Sequence, residues 1–415
     1  MRIRALALAD ESQRYVRGYP PKGSWLLLKP DIEISRLLEL NGGTDTIIYR
    51  DERIEPLGPF GEEDLCVAHV DFGRSDSARA VAREVTAAGV PLLLFGPEVT
   101  AWGDDAPPWA EHRVVGNVLH VWDGLRQDAR AGRLRPVYHS PRVPRYFPAF
   151  RDFGPRPDMN TRVQTMNFAL GCACPGWLRP FCPDHLYHGA DLHRRPRDEV
   201  IGEVVDLPHK HIALLDEDVA RDPAYYYDMF RVLWNYRRHW TVSAGSTLFR
   251  HPKLIRLLAK AGVRVLFLNE SFLDGLLERA VDEPDLVKML YRKVKFLQAR
   301  RMLVGAKVAV RIRPPRPPDF PGIAAVLRRV DLDFVRLRFF VTDGQGGDRL
   351  VPAAYRPMIS ESDPAWIKNR FYAMGPILDR LARRPRRVGF YTTTRYLLPQ
   401  SLAYRQNFLE GIASP

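Results

Sequence analysis

Short apolar runs alternate with amphipathic segments over the first 130 residues. The strand candidates are WLLLKP (25–30), DTIIYR (45–50), DLCVAHV (64–70), PLLLFG (91–96) and HRVVGNV (112–118). Between the third and fourth runs, residues 75–90 begin with serine and aspartate, repeat apolar residues every three or four positions and end at glycine, which predicts a helix. Strand, helix and strand joined by short links predict a Rossmann-like, doubly wound parallel sheet. Ligands of such sheets bind beyond the carboxyl ends of the strands, here near 71–75 and 96–98.

The alternation resumes on a larger scale from residue 161. Helices are predicted at 197–207, 224–239, 251–262, 283–300 and 321–330, and strands at 163–170, 211–218, 240–246, 263–271, 304–313 and 334–341. About six strands alternating with helices predict a TIM-like β/α barrel, full or partial. Chemistry in such barrels lies at the carboxyl ends of the strands, where Asp216–Asp218, Ser243–Ser246 and Asn269–Ser271 fall.

The chain of 415 residues is too long for one ordinary core, so several domains are expected. We predict an α/β protein with a Rossmann-like domain at 1–130 and a connector at 131–160, whose second half is rich in proline. A partial (β/α)6 barrel is predicted at 161–345, followed by a C-terminal extension at 346–415.

Composition places the chain among globular proteins, with 46% hydrophobic and 27% charged residues. The N-terminal segment has no apolar signal core, and no apolar run reaches the roughly 18 residues of a membrane span. Few cysteines and no export signal predict a cytoplasmic location. The net charge of +13 would suit nucleic acid, but the one compact basic cluster, Arg383–Arg387, has no RNA-binding motif beside it, so nucleic acid is not an expected partner.

Three of the four cysteines fall within one loop rich in glycine and proline, as Cys172, Cys174 and Cys182. Their number is odd, and Cys172 and Cys174 are too close to bridge comfortably, so they do not form a disulfide framework. Thiolates that converge on one centre are typical of metal and iron–sulfur sites. The fourth cysteine, Cys66, lies in an apolar run and is interpreted as a buried thiol.

The same loop continues into three histidines, His185, His188 and His193. Three thiolates and one of these imidazoles would also satisfy a structural zinc ion. The sequence therefore leaves three interpretations of the loop open: an iron–sulfur centre, a zinc site and a loop that binds no metal.

Several ordered features resemble one enzyme family. They are the connector AGRLRPVYHSP, Gly171-Cys172 at the start of the loop, Phe181-Cys182 at its end, the segment RRPRDEVIGEV, Asp216-Glu217 at a strand end, Asp222 and Glu270-Ser271. In this order and spacing, over roughly residues 60–345, the chain resembles radical S-adenosylmethionine (SAM) proteins with an N-terminal cobalamin-binding-type domain.

The resemblance implies a [4Fe-4S] cluster held by Cys172, Cys174 and Cys182, with one iron left for the amino and carboxylate groups of SAM. It places Asp216 and Glu217 near the amino group, and Ser243 and Glu270 near the ribose or sulfonium. It also implies a small-molecule substrate and an electron donor such as flavodoxin or ferredoxin. No catalytic residue is assigned.

Two features depart from the family pattern. The family spacing is Cys-x3-Cys-x2-Cys, whereas this chain has Cys-x-Cys-x7-Cys, so a longer loop must bring the thiols to one face. The N-terminal domain lacks the Asp-x-His-x-x-Gly motif that supplies cobalamin's axial histidine, and Asp71-Phe72-Gly73 occupies the comparable loop. Base-off cobalamin and no cobalamin both remain open.

The reaction is open as well. Methylation is expected if cobalamin binds, and rearrangement, cyclisation or oxidation if it does not. An RNA-modifying enzyme and a non-catalytic, zinc-stabilised scaffold are the competing hypotheses, prompted by the net charge and by the altered cysteine spacing.

Overall fold

The computed structural model describes residues 1–9, 31–142, 146, 163–273, 275–312, 319–342, 348–350, 371–384, 388–389, 392–398 and 401. The chain divides into two compact units: unit 1 is Met1–Thr161, Leu170–Cys172 and Leu178–His193, and unit 2 is Arg162–Ala169, Ala173–Trp177 and Arg194–Pro415. The division passes through the loop that carries the three cysteines. The predicted strand at 25–30 and most of the predicted connector lie outside the described residues.

Unit 1 contains a six-stranded parallel sheet. Its strands are β1 (Arg2–Ala7), β2 (Thr46–Asp51), β3 (Leu65–His69), β4 (Leu92–Phe95), β5 (His112–Val115) and β6 (Val137–His139). Its first helices are α1 (Ile32–Asn41), α2 (Ser75–Ala87), α3 (Pro97–Trp102) and α4 (Trp122–Arg130). The strands lie in the order β2-β1-β3-β4-β5-β6, and every pairing between them is parallel.

The apolar run at 64–70 became the central strand β3, whose residues are all buried. Alternate residues of β3 pack into two separate cores, with Leu65 and Val67 in one and Cys66 and Ala68 in the other. A parallel strand covered on both faces shows a continuous apolar run for this reason. The N-terminal strand β1 was not predicted, because two arginines interrupt its apolar pattern.

The strand order of unit 1 reverses direction between β1 and β3, and doubly wound sheets bind ligands beyond the carboxyl ends of the strands at such a point. Asp31 and His69 meet at the carboxyl ends of these strands, with Asp31 Oδ2 2.6 Å from His69 Nδ1. Burial alone would raise the pKa of Asp31, but the imidazolium of His69 outweighs it and lowers that pKa to about 2. Burial alone would lower the pKa of His69, and the Asp31 carboxylate raises it instead. The two residues form a buried ion pair.

The first elements leading into unit 2 are β7 (Val163–Met166), β8 (Ala169–Leu170), α5 (Pro183–His188) and β9 (His193–Arg194). They are followed by α6 (Arg197–Asp206), β10 (His211–Leu214), α7 (Pro223–Leu233), β11 (His239–Ala244), α8 (Pro252–Lys260), β12 (Val263–Leu268), α9 (Glu270–Leu273) and α10 (Leu276–Asp282). The remaining elements are α11 (Pro284–Gln298), β13 (Leu303–Ile312), α12 (Phe320–Arg329), β14 (Phe334–Thr342), β15 (Asp348–Leu350) and α13 (Met374–Arg383).

A seven-stranded sheet forms the frame of unit 2, in the order β15-β14-β13-β12-β11-β10-β7. The strands β7, β10, β11, β12, β13 and β14 are parallel and lie side by side in chain order, and β15 is antiparallel at the edge. The prediction of an α/β protein with parallel sheets is confirmed. Within the described parts of the chain, no helix combines the length and the apolar character that crossing a bilayer requires.

The two faces of this sheet differ. On one face, alternate strand residues such as Val242, Leu266, Val304, Ala306 and Val335 are apolar and at most 1% exposed. The register places the residues between them on the opposite face, where several are polar and half-buried. We call this opposite face the polar face; it contains Thr241, Ser243, Phe267, Gly305, Lys307, Arg336 and Arg338.

The C-terminal helix α13 is attached to unit 2 by buried polar contacts. Tyr372, just before the helix, receives a hydrogen bond from the Val335 N–H at 2.8 Å and donates one to the Val335 carbonyl at 2.9 Å. Arg384, just after the helix, is fully buried and pairs with Asp331 at 2.9 Å and Asp333 at 2.5 Å. One member of the basic cluster at 383–387 is therefore a core residue and is not available to bind RNA.

The buried ion pairs of Arg384 make a stability prediction with a neighbouring control. Arg384→Ala should lower the free energy of unfolding by about 3–5 kcal/mol, because Asp333 would remain buried without its cation. Arg383→Ala removes an exposed pair with Asp379 and should cost no more than about 1 kcal/mol. Chemical denaturation of both variants checks this, and equal losses would contradict the assignment.

Candidate active site

The cysteine loop begins where β7 ends and is closed by the two-stranded pairing of β8 with β9. Gly171 opens the loop with a φ of 120°, and a Cβ atom there would lie 1.9 Å from the Asp191 carbonyl oxygen. The Cys172 N–H then donates to the Gly189 carbonyl at 3.1 Å. A short 3₁₀ helix, Gly176–Phe181, leads the chain to Cys182, which precedes α5. Only glycine fits at 171, because it tolerates both the dihedral angle and the close backbone.

The three thiols of the loop meet one carboxylate. One ligand atom each from Cys172, Cys174, Cys182 and Glu217 lies within 4.8 Å of the others. The three cysteines are at most 8% exposed, and none forms a disulfide. The Glu217 oxygens lie 3.4 and 3.3 Å from Cys174 Sγ, and one of them accepts the Ala173 N–H at 3.0 Å. Once deprotonated, the three thiols and the carboxylate would repel one another at this spacing unless a cation lay between them, so the donor set suits a metal or iron–sulfur centre.

Asp216 holds the chain segment that enters the loop. Its carboxylate accepts the N–H groups of Phe168 and Ala169, each at 2.9 Å, and the hydroxyl of Tyr226 at 2.5 Å. Burial raises the pKa of Asp216 to about 7, although the hydrogen bonds from Tyr226 and the two N–H groups act to lower it. Its predicted contact with the SAM amino group stays a prediction, and its observed role is to position the loop.

The strand ends of β10, β11 and β12 are tied together by side-chain hydrogen bonds. Asp218 accepts the Gly245 N–H at 2.8 Å, and a Cβ at Gly245 would lie 2.5 Å from the same carboxylate. Asn269 donates from Nδ2 to the Glu217 carbonyl at 3.0 Å and accepts the Ser271 hydroxyl at 2.7 Å. These hydrogen bonds hold the backbone at residues 217 and 218, and so position the Glu217 side chain.

The other two predicted site residues lie on the next strand ends. Ser243 is 6% exposed in β11 and lies on the polar face beside Phe267 of β12. Glu270 begins α9, is 8% exposed and pairs with Arg338 Nη1 at 3.5 Å. Their predicted contacts with the ribose or sulfonium remain predictions.

The metal-ligand group contains Glu217 and none of the three loop histidines. Burial, with the nearby side chains of Arg36, His120 and His193, lowers the pKa of His188 to about 4. The fourth donor beside the thiols is thus a carboxylate and not the imidazole of the zinc interpretation.

Neither family models nor curated proteins match this chain. Among solved structures, the radical SAM methyltransferase TsrM from Kitasatospora setae, with tryptophan substrate and a SAM analogue bound, is similar at a TM-score of 0.54 and 13% identity. The similarity covers 81% of this chain and 72% of that one. A second structure of TsrM, with cobalamin and a [4Fe-4S] cluster bound, has the same TM-score and identity and covers 82% and 75%.

The chain has the fold of these enzymes. The cobalamin-dependent SAM radical enzyme OxsB is also similar, at 11% identity over 89% of this chain and 56% of that one, but its TM-score of 0.48 is too low to support any conclusion. The resemblance stated from the sequence motifs is confirmed at the level of the fold.

Sequence reasoning missed several residues that shape the site. Asn269 and Asp218 were noted only as members of strand ends, yet they connect three strands. Arg338, the partner of Glu270, lies in a run predicted simply as a strand. Charged residues within a parallel strand, where apolar residues are usual, were the available signal.

The close packing at Gly171 yields a prediction with a matched control in the same loop. Gly171→Ala should prevent the loop from closing and lose most of the bound iron, because its Cβ would overlap the Asp191 carbonyl. Gly176→Ala should retain iron, since no atom lies within 4 Å of a Cβ there. Iron analysis after anaerobic reconstitution checks both variants, and a Gly171→Ala protein with full iron would contradict the close packing.

Proposed function

We propose that this protein is a radical SAM enzyme that binds a [4Fe-4S] cluster through Cys172, Cys174 and Cys182 and cleaves SAM reductively to modify a small molecule. The convergence of three buried thiols at the carboxyl ends of parallel strands carries the proposal. The fold shared with TsrM supports it. We include in the proposal a Rossmann-like module at 1–130 and a partial barrel at 161–345.

The chain's own residues would hold and orient the cofactors. When bound, the cluster supplies one electron to the sulfonium of SAM. The thiols hold the iron, and the burial of all three keeps water away from that position. Glu217, which already accepts the Ala173 N–H, would accept the SAM amino group with its other oxygen.

Cobalamin is the second cofactor of the proposal. In a sheet of this strand order, a ligand is expected beyond the carboxyl ends of β1 and β3. A structure of TsrM has cobalamin bound. Because TsrM is a methyltransferase, methylation is the reaction we favour among those that the sequence left open. The electrons would come from a small redox protein such as flavodoxin or ferredoxin.

The cluster assignment is tested by removing the cysteines one at a time. Cys172→Ala, Cys174→Ala and Cys182→Ala should each lose most of the iron and sulfide bound after anaerobic reconstitution, because each removes one of three protein ligands. Cys66→Ala is the matched control, since Cys66 is equally buried but packs in the core of unit 1. It should keep full iron and SAM cleavage to 5′-deoxyadenosine or methionine.

A colourless protein that binds stoichiometric zinc, or loop variants that keep their iron, would contradict the cluster assignment. The zinc result would favour the non-catalytic scaffold. No described residue cluster favours an RNA substrate, and Arg384 is buried in ion pairs.

Glu217→Gln separates two roles of the carboxylate. The amide can still accept the Ala173 N–H, but it has no charge to attract the SAM amino group. We expect SAM affinity to fall by about tenfold, as for the loss of one charge-assisted hydrogen bond, while iron content stays unchanged. Equilibrium binding of SAM to the reconstituted variant measures this. A rise in SAM affinity would contradict it and would identify Glu217 as a fourth ligand of the cluster.

A further inference from the structure

Four helices of unit 2 bring cations to one end of its sheet. The helices α7, α8, α11 and α12 each end shortly before the next strand begins, at β11, β12, β13 and β14 respectively. These four strands are parallel neighbours, so the four helix ends lie side by side at the starts of the strands, opposite the carboxyl ends that carry the candidate active site. We call this the basic end of unit 2; its cations are Arg237, Lys260, Arg300, Arg301, Arg328 and Arg329.

The positive charge of the basic end is not balanced by neighbouring acids. All of its cations except the half-buried Arg300 are exposed, and none of the six forms an ion pair within the described part of the chain. The links from the four helices to their strands contain two acids, Asp331 and Asp333, and both pair with Arg384. A helix dipole favours a cation at each C-terminal end, but adjacent helix ends that all carry cations create a positive potential that attracts an anionic partner.

Exposed aromatic rings lie among these cations. Trp234 and Tyr236, in the turn between α7 and β11, are 48% and 39% exposed, and Phe296 in the last turn of α11 is 37% exposed. The Lys260 ammonium lies 5.5 Å from the centre of the Trp234 ring. The Arg300 guanidinium lies 3.6 Å from the centre of the Phe296 ring. Exposed rings beside cations are the surface on which unpaired bases of nucleic acid stack.

Cations and exposed rings together favour one kind of anionic partner over two others. A single strand of nucleic acid offers phosphates to the cations and unpaired bases to the rings. An acidic protein would use the cations and leave the rings without a role. An anionic membrane requires apolar side chains that insert below the lipid headgroups, whereas Trp234, the most exposed of the three rings, has 48% of its surface exposed.

We propose that the basic end of unit 2 binds single-stranded nucleic acid, with phosphates on cations such as Lys260 and Arg301 and bases stacked on Trp234 and Phe296. This inference goes beyond the proposed function and does not rest on it. Because Glu217 lies at the other end of the strands, the nucleic acid is a partner of the enzyme and not its substrate. The sequence pattern does not predict this surface, because its cations come from four separate helices.

The experiment uses the cluster-loaded full chain and fluorescein-labelled oligo(dT) and oligo(U), with fluorescence anisotropy as the measure of binding. Titrations are made at about 50 and about 200 mM salt, because phosphate contacts release counterions on binding. If about four phosphates are contacted, the affinity should fall by about 50-fold between these two salt concentrations.

Variants assign the binding to the basic end. Lys260→Gln and Arg301→Gln should each reduce the slope of log affinity against log salt by about 0.7, as for the loss of one phosphate contact. Trp234→Leu should weaken binding by at least about fivefold, as for the loss of one stacked base, and leave that slope unchanged. Lys253→Gln is the matched control, because Lys253 is an exposed cation at the other end of α8. It should change neither affinity nor slope, and all four variants should keep their iron.

Four results would overturn the proposal. Neither oligonucleotide binds, or Lys253→Gln weakens binding as much as Lys260→Gln, which would assign the binding to the net charge of the whole chain. Poly-L-glutamate displaces the labelled strand as well as an unlabelled oligonucleotide does, which would identify an acidic protein as the partner. Vesicles of phosphatidylserine and phosphatidylcholine bind in preference to the oligonucleotides, which would identify a membrane surface.

Discussion

The carboxylate of Asp216 is the interaction on which the site depends. It accepts two consecutive backbone N–H groups from the segment that enters the cysteine loop, and it is held by the hydroxyl of Tyr226. Because the carboxylate stands at the end of β10, it fixes the start of the loop against the edge of the sheet. The adjacent residue, Glu217, lies beside the thiols. Burial of the Asp216 carboxyl raises its pKa and is unfavourable for folding. The hydrogen bonds that this carboxyl accepts hold the start of the loop in place.

The altered cysteine spacing is accommodated by backbone geometry. Gly171 turns the chain with a dihedral angle that other residues rarely adopt, and the 3₁₀ helix ending at Phe181 brings Cys182 back toward Cys174. A longer loop thus places the three thiols together, although the spacing of the cysteines does not match the family pattern. The cost in conformational entropy of ordering such a loop is offset by its hydrogen bonds and, in the proposed state, by the metal centre.

The two faces of the sheet in unit 2 differ in the side chains they carry. The apolar face packs as a core, and the buried pairs of Arg384 with Asp331 and Asp333 fasten the C-terminal helix to the same unit. The polar face instead contains polar and charged side chains, among them Ser243, Lys307 and Arg338, and Arg338 is paired with Glu270.

The sequence by itself determined the alternation of strands and helices, the α/β class and the set of residues at the strand ends, because apolar periodicity and cysteine spacing are local properties. It missed β1, whose pattern Arg2 and Arg4 interrupt. Only the tertiary structure decided that Glu217, and not a histidine, lies beside the thiols, and that Arg384 is buried. It also decided that Lys307 and Arg336 are neighbours. These outcomes depend on strand register and loop path, which join residues distant in the chain and leave no periodic signal in it.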